Sequence, residues 1–171
     1  MSSLAVTAIG VDQPGIIARV TGVLYKHGGN LTDSSMTILG GHFAIMLLVD
    51  CGTAPDELET ALTESTRDLG LIVRVAEVGE GHESAPASHV LTVYGTDRPG
   101  IVHAASRTLA DAGVNVTDLT TRVLAGEQPV YACVMEVAVP AATDEEALAA
   151  LVRDGVGGVE VSVQPIDAET L

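Results

Sequence analysis

Two short segments place a carboxylate just ahead of a Pro-Gly pair, at residues 12–16 (DQPGI) and 97–101 (DRPGI). The apolar spacing after each glycine is helical, so each segment should lie at a helix N-terminus. Backbone N–H groups and the helix dipole there attract a carboxylate, and glycine lets a ligand approach the backbone. Asp12 or Asp97 would then hold an ammonium group. The same residues also suit a structural role, in which Asp caps the helix, Pro occupies its first turn and Gly permits tight packing.

An asparagine follows each segment at a fixed distance. Asn30 and Asn115 lie 15 residues after Gly15 and Gly100, at the start of the next predicted strand. We expect that strand to run beside the first one, which would bring the asparagine near the Asp-x-Pro-Gly loop. An asparagine that only accommodates the turn between helix and strand is the alternative.

Both segments belong to an internal repeat. Residues 5–33 and 90–118 align at a constant offset of 85 without a gap, and 11 of the 29 positions are identical. The identical pairs are Thr7/Thr92, Gly10/Gly95, Asp12/Asp97, Pro14/Pro99, Gly15/Gly100, Ile16/Ile101, Leu24/Leu109, Gly28/Gly113, Asn30/Asn115, Thr32/Thr117 and Asp33/Asp118. Residues 80–87 are rich in Gly, Ser, Pro and Glu and are predicted to be a linker. We therefore expect two homologous domains, residues 1–79 and 88–171.

Each copy has the same predicted order of elements: strand, helix, strand, strand, helix, strand. The predicted strands are 4–9, 30–39, 43–50 and 71–78, then 90–94, 115–124, 130–139 and 159–166. The first helix of each copy starts at Gly15 or Gly100, and the second helices are predicted at 55–69 and 143–153. Turns are expected at Gly40-Gly41 and Ala125–Pro129. This order predicts an α+β chain of two ferredoxin-like βαββαβ domains, each an antiparallel sheet with two helices on one face.

The strand 43–50 is apolar on both faces. Its alternate residues Phe43, Ile45, Leu47 and Val49 are apolar, and so are three of the four residues between them. A solvated antiparallel sheet would instead alternate with polar residues. We therefore expect the open sheet face of the first domain to pack against the sister domain, another chain or a partner protein. A surface that is merely rich in alanine and leucine is the alternative.

Composition excludes several classes of function. The 171 residues include 23 acidic and 8 basic ones, a formal net charge of −15, so direct binding to DNA or RNA is not expected. Three Tyr and one Phe are too few for a base-stacking surface. No apolar run reaches the length of a membrane helix and no signal peptide precedes the first strand, which predicts a cytoplasmic protein. The two cysteines are expected to be reduced and buried.

Catalysis has no support in the sequence. The five histidines show no metal-ligand spacing with Cys or acidic residues, and no C-x-x-C, G-x-S-x-G, phosphate-loop or dinucleotide motif is present. We therefore expect neither an enzyme nor a cofactor or metal. The second loop is the more cationic one, because Gln13 is replaced by Arg98 and Ala18 by His103. These charges suit an anion site, or they neutralise neighbouring carboxylates.

The motif Asp-x-Pro-Gly-Ile, then a helix ending in Gly, then Asn-Leu/Val-Thr-Asp resembles the ACT domain, a small regulatory module that binds amino acids. Two such domains filling the chain resemble the glycine cleavage system transcriptional repressor group. The resemblance implies effector sites where two domains pair, with polar contacts from the residue two before Pro-Gly and from the Asn that opens the second strand. The ligand-binding residues it implies are Asp12, Pro14, Gly15, Ile16, Asn30, Asp97, Pro99, Gly100, Ile101 and Asn115.

These features together predict a regulatory protein that binds an amino acid or a similar small metabolite. It would signal through a partner protein, in transcriptional control of amino-acid metabolism, and form homo-oligomers without contacting nucleic acid or membrane. The alternative is an interaction module without a ligand, or a regulatory subunit of a metabolic enzyme.

Overall fold

The computed structural model describes residues 2–79, 85–124 and 130–166. The chain divides into two compact units, Met1–His82 and Glu83–Leu171, which are called here the first and second domains. Part of the predicted linker, residues 80–84, and the predicted turn Ala125–Pro129 lie outside the described residues.

Both domains have the predicted βαββαβ order of elements. The first consists of β1 (Ser2–Val11), α1 (Ile16–Lys26), β2 (Asn30–Leu39), β3 (His42–Cys51), α2 (Pro55–Ser65) and β4 (Ile72–Val78). The second consists of β5 (His89–Thr96), α3 (Ile101–Asp111), β6 (Asn115–Leu124), β7 (Val130–Ala138), α4 (Glu145–Val156) and β8 (Val159–Pro165). The helix predicted over 55–69 is shorter than expected, because α2 ends at Ser65 and a 3₁₀ turn, Arg67–Leu69, follows it.

Each sheet has four antiparallel strands, in the order β2-β3-β1-β4 in the first domain and β6-β7-β5-β8 in the second. The third strand of each domain therefore lies between the first and the second. In the first domain β3 pairs with β1 from Ser2↔Cys51 to Val11↔His42 and with β2 on its other side. The prediction that the second strand runs beside the first is therefore wrong.

Each domain has one hydrophobic core between the sheet and its two helices. In the first domain, Val20 of α1 and Leu58 of α2 join β3 residues such as Leu47 in one buried cluster. In the second domain, Leu109 of α3 and Leu148 of α4 are buried with the residues of β5 and β7. Both helices of a domain thus cover the same face of its sheet, as the ferredoxin-like fold requires.

The first helix of each domain ends at a glycine in the left-handed conformation, as predicted. Gly28 has φ 69° and Gly113 has φ 71°. The N–H of Gly28 donates to Tyr25 O at 3.1 Å and the next N–H donates to Leu24 O at 2.8 Å, which is the Schellman arrangement. This ending directs the chain into the second strand within two residues.

A β-bulge explains the repeated Thr near the start of the second strand. The register of β2 shifts between Leu31 and Asp33, which leaves Thr32 unpaired, and its hydroxyl donates to Leu48 O at 3.1 Å. Thr117 makes the equivalent bond to Glu136 O at 3.1 Å in the second domain. Within the described residues, no helix is long and apolar enough to cross a membrane.

Candidate functional site

Each Asp-x-Pro-Gly loop contains a glycine whose backbone conformation is readily adopted only by glycine. Gly15 has φ 95° and immediately precedes α1, and Gly100 has φ 96° and immediately precedes α3. Residues with a side chain rarely adopt this left-handed backbone. Pro14 and Pro99 lie in the turn before the helix, so the interpretation that Pro occupies the first helical turn is wrong.

The interpretation of the aspartates as helix caps is also wrong. The capping positions of α1 and α3 are the glycines, and neither helix has a side-chain capping bond or an acidic residue in its first turn. Helix α4, in contrast, has an aspartate cap: Asp144 Oδ1 accepts a hydrogen bond from Ala147 N at 2.8 Å. Asp12 and Asp97 therefore serve no such purpose.

Each of these helix starts carries N–H groups without an acceptor among the described residues. The first intrahelical bonds are from Arg19 N to Gly15 O and from Ala104 N to Gly100 O, both at 2.9 Å. The three residues before each of these donors, at positions 16–18 and 101–103, donate to no carbonyl or side chain that the structure describes. The helix dipole adds a partial positive charge at the same place, so each start can accept an anion.

The aspartate carboxylates are exposed and unengaged. Within residues 2–79, 85–124 and 130–166, neither Asp12 nor Asp97 has a side-chain hydrogen bond or an ion pair. The main chain of Asp12 is fixed, since its N–H donates to Gly41 O at 2.9 Å in the turn between β2 and β3. A carboxylate on a fixed backbone beside an electropositive helix start is complementary to a zwitterion.

The residue after each aspartate anchors the loop to the far edge of the sheet. Gln13 Nε2 donates to Leu69 O at 3.0 Å, just before β4. Arg98 Nη2 donates to Val156 O at 2.7 Å and also to Gly157 O, just before β8. The Arg98 charge is therefore directed at carbonyl groups at the C-terminal end of α4, where a cation is favourable. Arg98 makes no ion pair with a carboxylate among the described residues.

Arg19, in the first turns of α1, is likewise engaged in hydrogen bonds. Arg19 Nη1 donates to Ser65 O at 2.7 Å and to Asp68 Oδ1 at 2.9 Å. The hydrogen bond from Arg19 lowers the pKa of Asp68. Backbone N–H groups are thus the donors that the first helix start offers to an anion.

A cavity of about 510 Å³ opens beside the first loop. The residues that line it are Asp12, Gln13, Pro14, Gly15, Ile16, Ile17, Ala18, Met36 and Phe43. Four of the ligand-binding residues that the resemblance implies, Asp12, Pro14, Gly15 and Ile16, line this cavity. The side chains of Ile16 and Ile101 are only 2% exposed and belong to the two cores, so either residue would reach a ligand through its backbone.

Met36 and Phe43 also line this cavity, and the motif does not predict them. Met36 lies on β2 and is exposed, whereas Phe43 lies on β3 and is buried. The sheet order brings them to the loop, and the alternation of β2 was the one signal for the orientation of Met36. Alternation could not indicate this orientation clearly, because every residue of β2 is exposed and the strand has no pattern of alternating buried and exposed residues.

The asparagines lie at the other end of the sheet from the loops of their own domains. Asn30 pairs with Asp50, which in turn pairs with Ser3 at the start of β1, whereas the Asp12 loop meets Gly41. From residue 50 to residue 41 is nine steps of a strand, or about 30 Å. Asn115 pairs with Ala138 and occupies the equivalent place. The expectation that Asn approaches the loop within one domain is therefore wrong.

The first domain exposes an apolar patch on the sheet face away from the helices, called here the open face. Ile9, Met46 and Ile72 are 49%, 50% and 64% exposed there, around a shallow cavity of about 500 Å³. In the second domain the β8 positions on this face carry Glu160, Ser162 and Gln164. The edge strand of this face is thus more polar in the second domain, although Tyr94, Val130 and Leu124 on its other strands are also exposed.

The described residues offer no metal site and no reactive cysteine pair. They contain no group of three or more His, Cys, Asp or Glu placed to hold a metal ion. Cys51 and Cys133 are both buried and free, as predicted. Burial raises the pKa of the Cys133 thiol, which keeps it in its unreactive protonated form.

Known proteins are similar to this chain in sequence and in fold. Models of the ACT domain match residues 2–76 and 89–155. A UPF0237 protein of Methanopyrus kandleri is 38% identical over 78 residues, which are 44% of this chain and 87% of that protein. The glycine cleavage system transcriptional repressor of Escherichia coli is 30% identical over 121 residues, 70% of this chain and 64% of that protein.

The likeness extends over both domains. An alignment of 121 residues is longer than either ACT match and so includes parts of both domains. The crystal structure of an unknown protein from Galdieria sulphuraria matches with a TM-score of 0.77 at 25% identity, over 96% of this chain and 98% of that one. The chain therefore belongs to the ACT-domain family, as a tandem ACT protein similar to the glycine cleavage system transcriptional repressors.

Proposed function

We propose that this protein is a non-enzymatic regulator that binds an amino acid or a similar small metabolite. One observation carries the proposal, and it occurs twice. An unengaged Asp lies three residues before a left-handed glycine, and the helix after that glycine begins with N–H groups that have no acceptor among the described residues. Membership of the ACT family is consistent with this role.

The two charges of an amino acid match this arrangement. The ligand carboxylate would accept hydrogen bonds from the first N–H groups of α1 or α3, where the helix dipole is positive. The ligand ammonium group would donate to Asp12 or Asp97. The side chain would extend along the cavity wall toward Met36. Since Gly15 and Gly100 carry no side chain, the ligand can approach the backbone closely.

The direction of β2 supports a role for the asparagine of one ACT domain in the ligand site of another ACT domain. Asn30 begins β2, and Met36 near the other end of β2 lines the cavity. If the β2 strand of another ACT domain ran antiparallel beside this one, its Asn would lie next to this loop. We propose that Asn30 and Asn115 close the site in this way, in a homo-oligomer.

The signal would pass to a partner protein rather than to nucleic acid. A net charge of −15 opposes the approach of a phosphate backbone. The open face of the first domain offers the kind of apolar surface that protein interfaces use. The E. coli relative is a transcriptional repressor by name, and control of amino-acid metabolism at that level through a partner is the role we propose here.

Calorimetry with the full chain and each of the twenty amino acids tests the proposal. We expect saturable heat from a subset of them, and none from the same compounds when the ammonium or the carboxylate is blocked by acetylation or amidation. Blocked compounds that bind as well as the free amino acids would contradict the zwitterion site. No binding by any amino acid would leave the alternative, an interaction module that works through the open face alone.

A further inference from the structure

The strand ladders give an independent correspondence between the walls of the two proposed sites. Met36 pairs with Ile45 as Thr121 pairs with Cys133, and both of these partners pair with equivalent residues of the first strand. Thr121 therefore occupies the place of Met36. By the same ladders Tyr131 corresponds to Phe43, because each pairs with the repeated glycine, Gly95 or Gly10.

The helix side of the wall changes in the same direction. Ala18, which lines the first cavity, corresponds to His103 in the third position of α3, and His103 is exposed. The first cavity is thus lined by Met, Phe and Ala at these three positions, and the residues at the corresponding positions of the second domain are Thr, Tyr and His. Each replacement adds a hydroxyl group or a ring nitrogen.

The groups that would recognise the common part of an amino acid do not change. Asp12 and Asp97 are the same residue type, and Gly15 and Gly100 have φ angles of 95° and 96°. Pocket contacts set the discrimination between similar ligands, so a change of wall with unchanged backbone-recognition groups would alter the preferred side chain within one ligand class.

We infer that the two sites differ in selectivity: the first takes an amino acid with an apolar side chain, and the second takes one with a polar side chain. The inference rests on the proposed function and names its substrate classes. A hydroxyl or amide placed against Met36 and Phe43 loses its hydrogen bonds to water without gaining others. In the second site Thr121, Tyr131 and His103 can supply such bonds.

The inference is tested by measuring the affinities of pairs of isosteric amino acids for variants of the full chain in which one of the two sites is weakened. Threonine has a hydroxyl where valine has a methyl group, and asparagine has an amide where leucine has two methyl groups. Asp97→Ala weakens the second site and leaves the first for measurement, and Asp12→Ala does the converse. We expect the Asp97→Ala chain to prefer valine and leucine by about 10-fold, the lower end for such discrimination because the cavity is open. The Asp12→Ala chain should prefer threonine and asparagine.

Substitutions of the wall provide the second measurement. Met36→Thr, in the Asp97→Ala background, should reduce the preference for valine, and Ile38→Thr is its matched control. Ile38 lies on the same strand and face and is 50% exposed against 51% for Met36, but it does not line the cavity. In the Asp12→Ala background, His103→Ala should reduce the preference for threonine, and Arg107→Ala, one turn further along α3, should not.

The outcomes separate this inference from the proposed function. If both single-site chains bind amino acids but rank the isosteric pairs in the same order, the difference in selectivity is refuted and the function stands. If Ile38→Thr changes the ranking as much as Met36→Thr, the wall assignment is refuted. If the unmodified chain binds no amino acid, the proposed function and this inference fail together.

Discussion

Replacing the loop aspartates by alanine should separate ligand affinity from stability. The second domain offers the sharpest comparison, because it contains both an unengaged aspartate, Asp97, and a capping one, Asp144. Asp97 is exposed and has no side-chain partner among the described residues, whereas Asp144 Oδ1 accepts from Ala147 N at 2.8 Å. The two Asp→Ala substitutions remove the same group from the same domain in opposite contexts.

The expected magnitudes follow from these contacts. Asp144→Ala loses a helix cap and should lower the free energy of unfolding by about 1 kcal/mol, which is a fall of about 4–8 °C in Tm for a domain of this size. Asp97→Ala should change it by less than about 0.5 kcal/mol, as for other exposed positions without contacts. Loss of a charge-assisted bond of about 1.5–3 kcal/mol should instead weaken amino-acid binding roughly 10- to 150-fold.

Denaturant unfolding and calorimetric titration on the same protein preparations provide the assay. Asp97→Ala should move the affinity and leave the unfolding midpoint, and Asp144→Ala should do the reverse. Asp97→Asn keeps the size of the side chain and should behave like Asp97→Ala, because the charge binds the ammonium group. An Asp97→Ala protein that is destabilised like Asp144→Ala and binds with unchanged affinity would refute the assignment and restore a purely structural role.

Four further outcomes are expected. Gly15→Ala should lower the free energy of unfolding by about 1–3 kcal/mol, because it places a side chain at φ 95°; Gly22→Ala, inside α1 with nothing within 4 Å of the added Cβ, should raise it by up to about 1 kcal/mol in the same denaturation experiment. Arg98→Ala should cost about 1 kcal/mol by loss of its bonds to the end of α4, and Arg98→Gln should recover part of this in the same measurement, since Gln is the residue that makes the equivalent bond in the first domain. Burial raises the pKa of Cys133, so the unfolded chain ionises this thiol at a lower pH than the native one does, and stability should fall as pH rises above the ordinary thiol value; Cys133→Ala should show a shallower fall, and an identical fall in both proteins would contradict the assignment. Gel-shift experiments near physiological salt should detect no binding to DNA, whereas a shift at sub-micromolar protein that weakens with added salt would overturn the partner-mediated role.

Local chemistry in the sequence was sufficient to predict the elements of this fold. The second strands, predicted over 30–39 and 115–124, have those bounds in the structure. Their starts are marked by Gly28 and Gly113, which end the preceding helix in a Schellman motif, and by the bulge at Thr32. Hydrophobic periodicity and glycine positions depend on neighbours along the chain, and the sequence contains that information directly.

The sheet order was the property that local pattern could not supply. The second strand was expected beside the first, but β3 lies between β1 and β2. That arrangement depends on which strands exchange hydrogen bonds over long sequence distances, which residue spacing does not encode. Asn30 was therefore placed near the wrong end of the sheet, and the contribution of Met36 and Phe43 to the cavity was missed.

The cap assignment failed for a related reason. Asp12 precedes a helical pattern, and Asp is a preferred capping residue, so the sequence alone favoured both roles. The position of the cap depends on the residue at which the backbone turns, and φ 95° at Gly15 moves it three residues beyond the aspartate. The backbone angle at Gly15 thus excludes the capping role for Asp12.

The internal repeat now separates what folding requires from what it does not. Gly15 and Gly28 are repeated because the backbone there is left-handed, and Thr32 because its hydroxyl bonds a strand carbonyl. Folding explains Ile16 as well, since its side chain is in the core. These identities would persist in a domain that binds nothing.

Asp12 and Asn30, with their counterparts Asp97 and Asn115, are different. Their side chains are exposed, and none of them makes a side-chain hydrogen bond within the described residues. Two copies of a domain that differ at 18 of 29 aligned positions retain these polar groups, although none of the four side chains has a hydrogen-bond partner among the described residues. A ligand with both a positive and a negative group would explain why they are retained. Its positive group would bind the aspartate, its negative group would bind the helix start, and the asparagine would close the site. The repeat thus favours a ligand over an interaction module by an observation that does not depend on any relative.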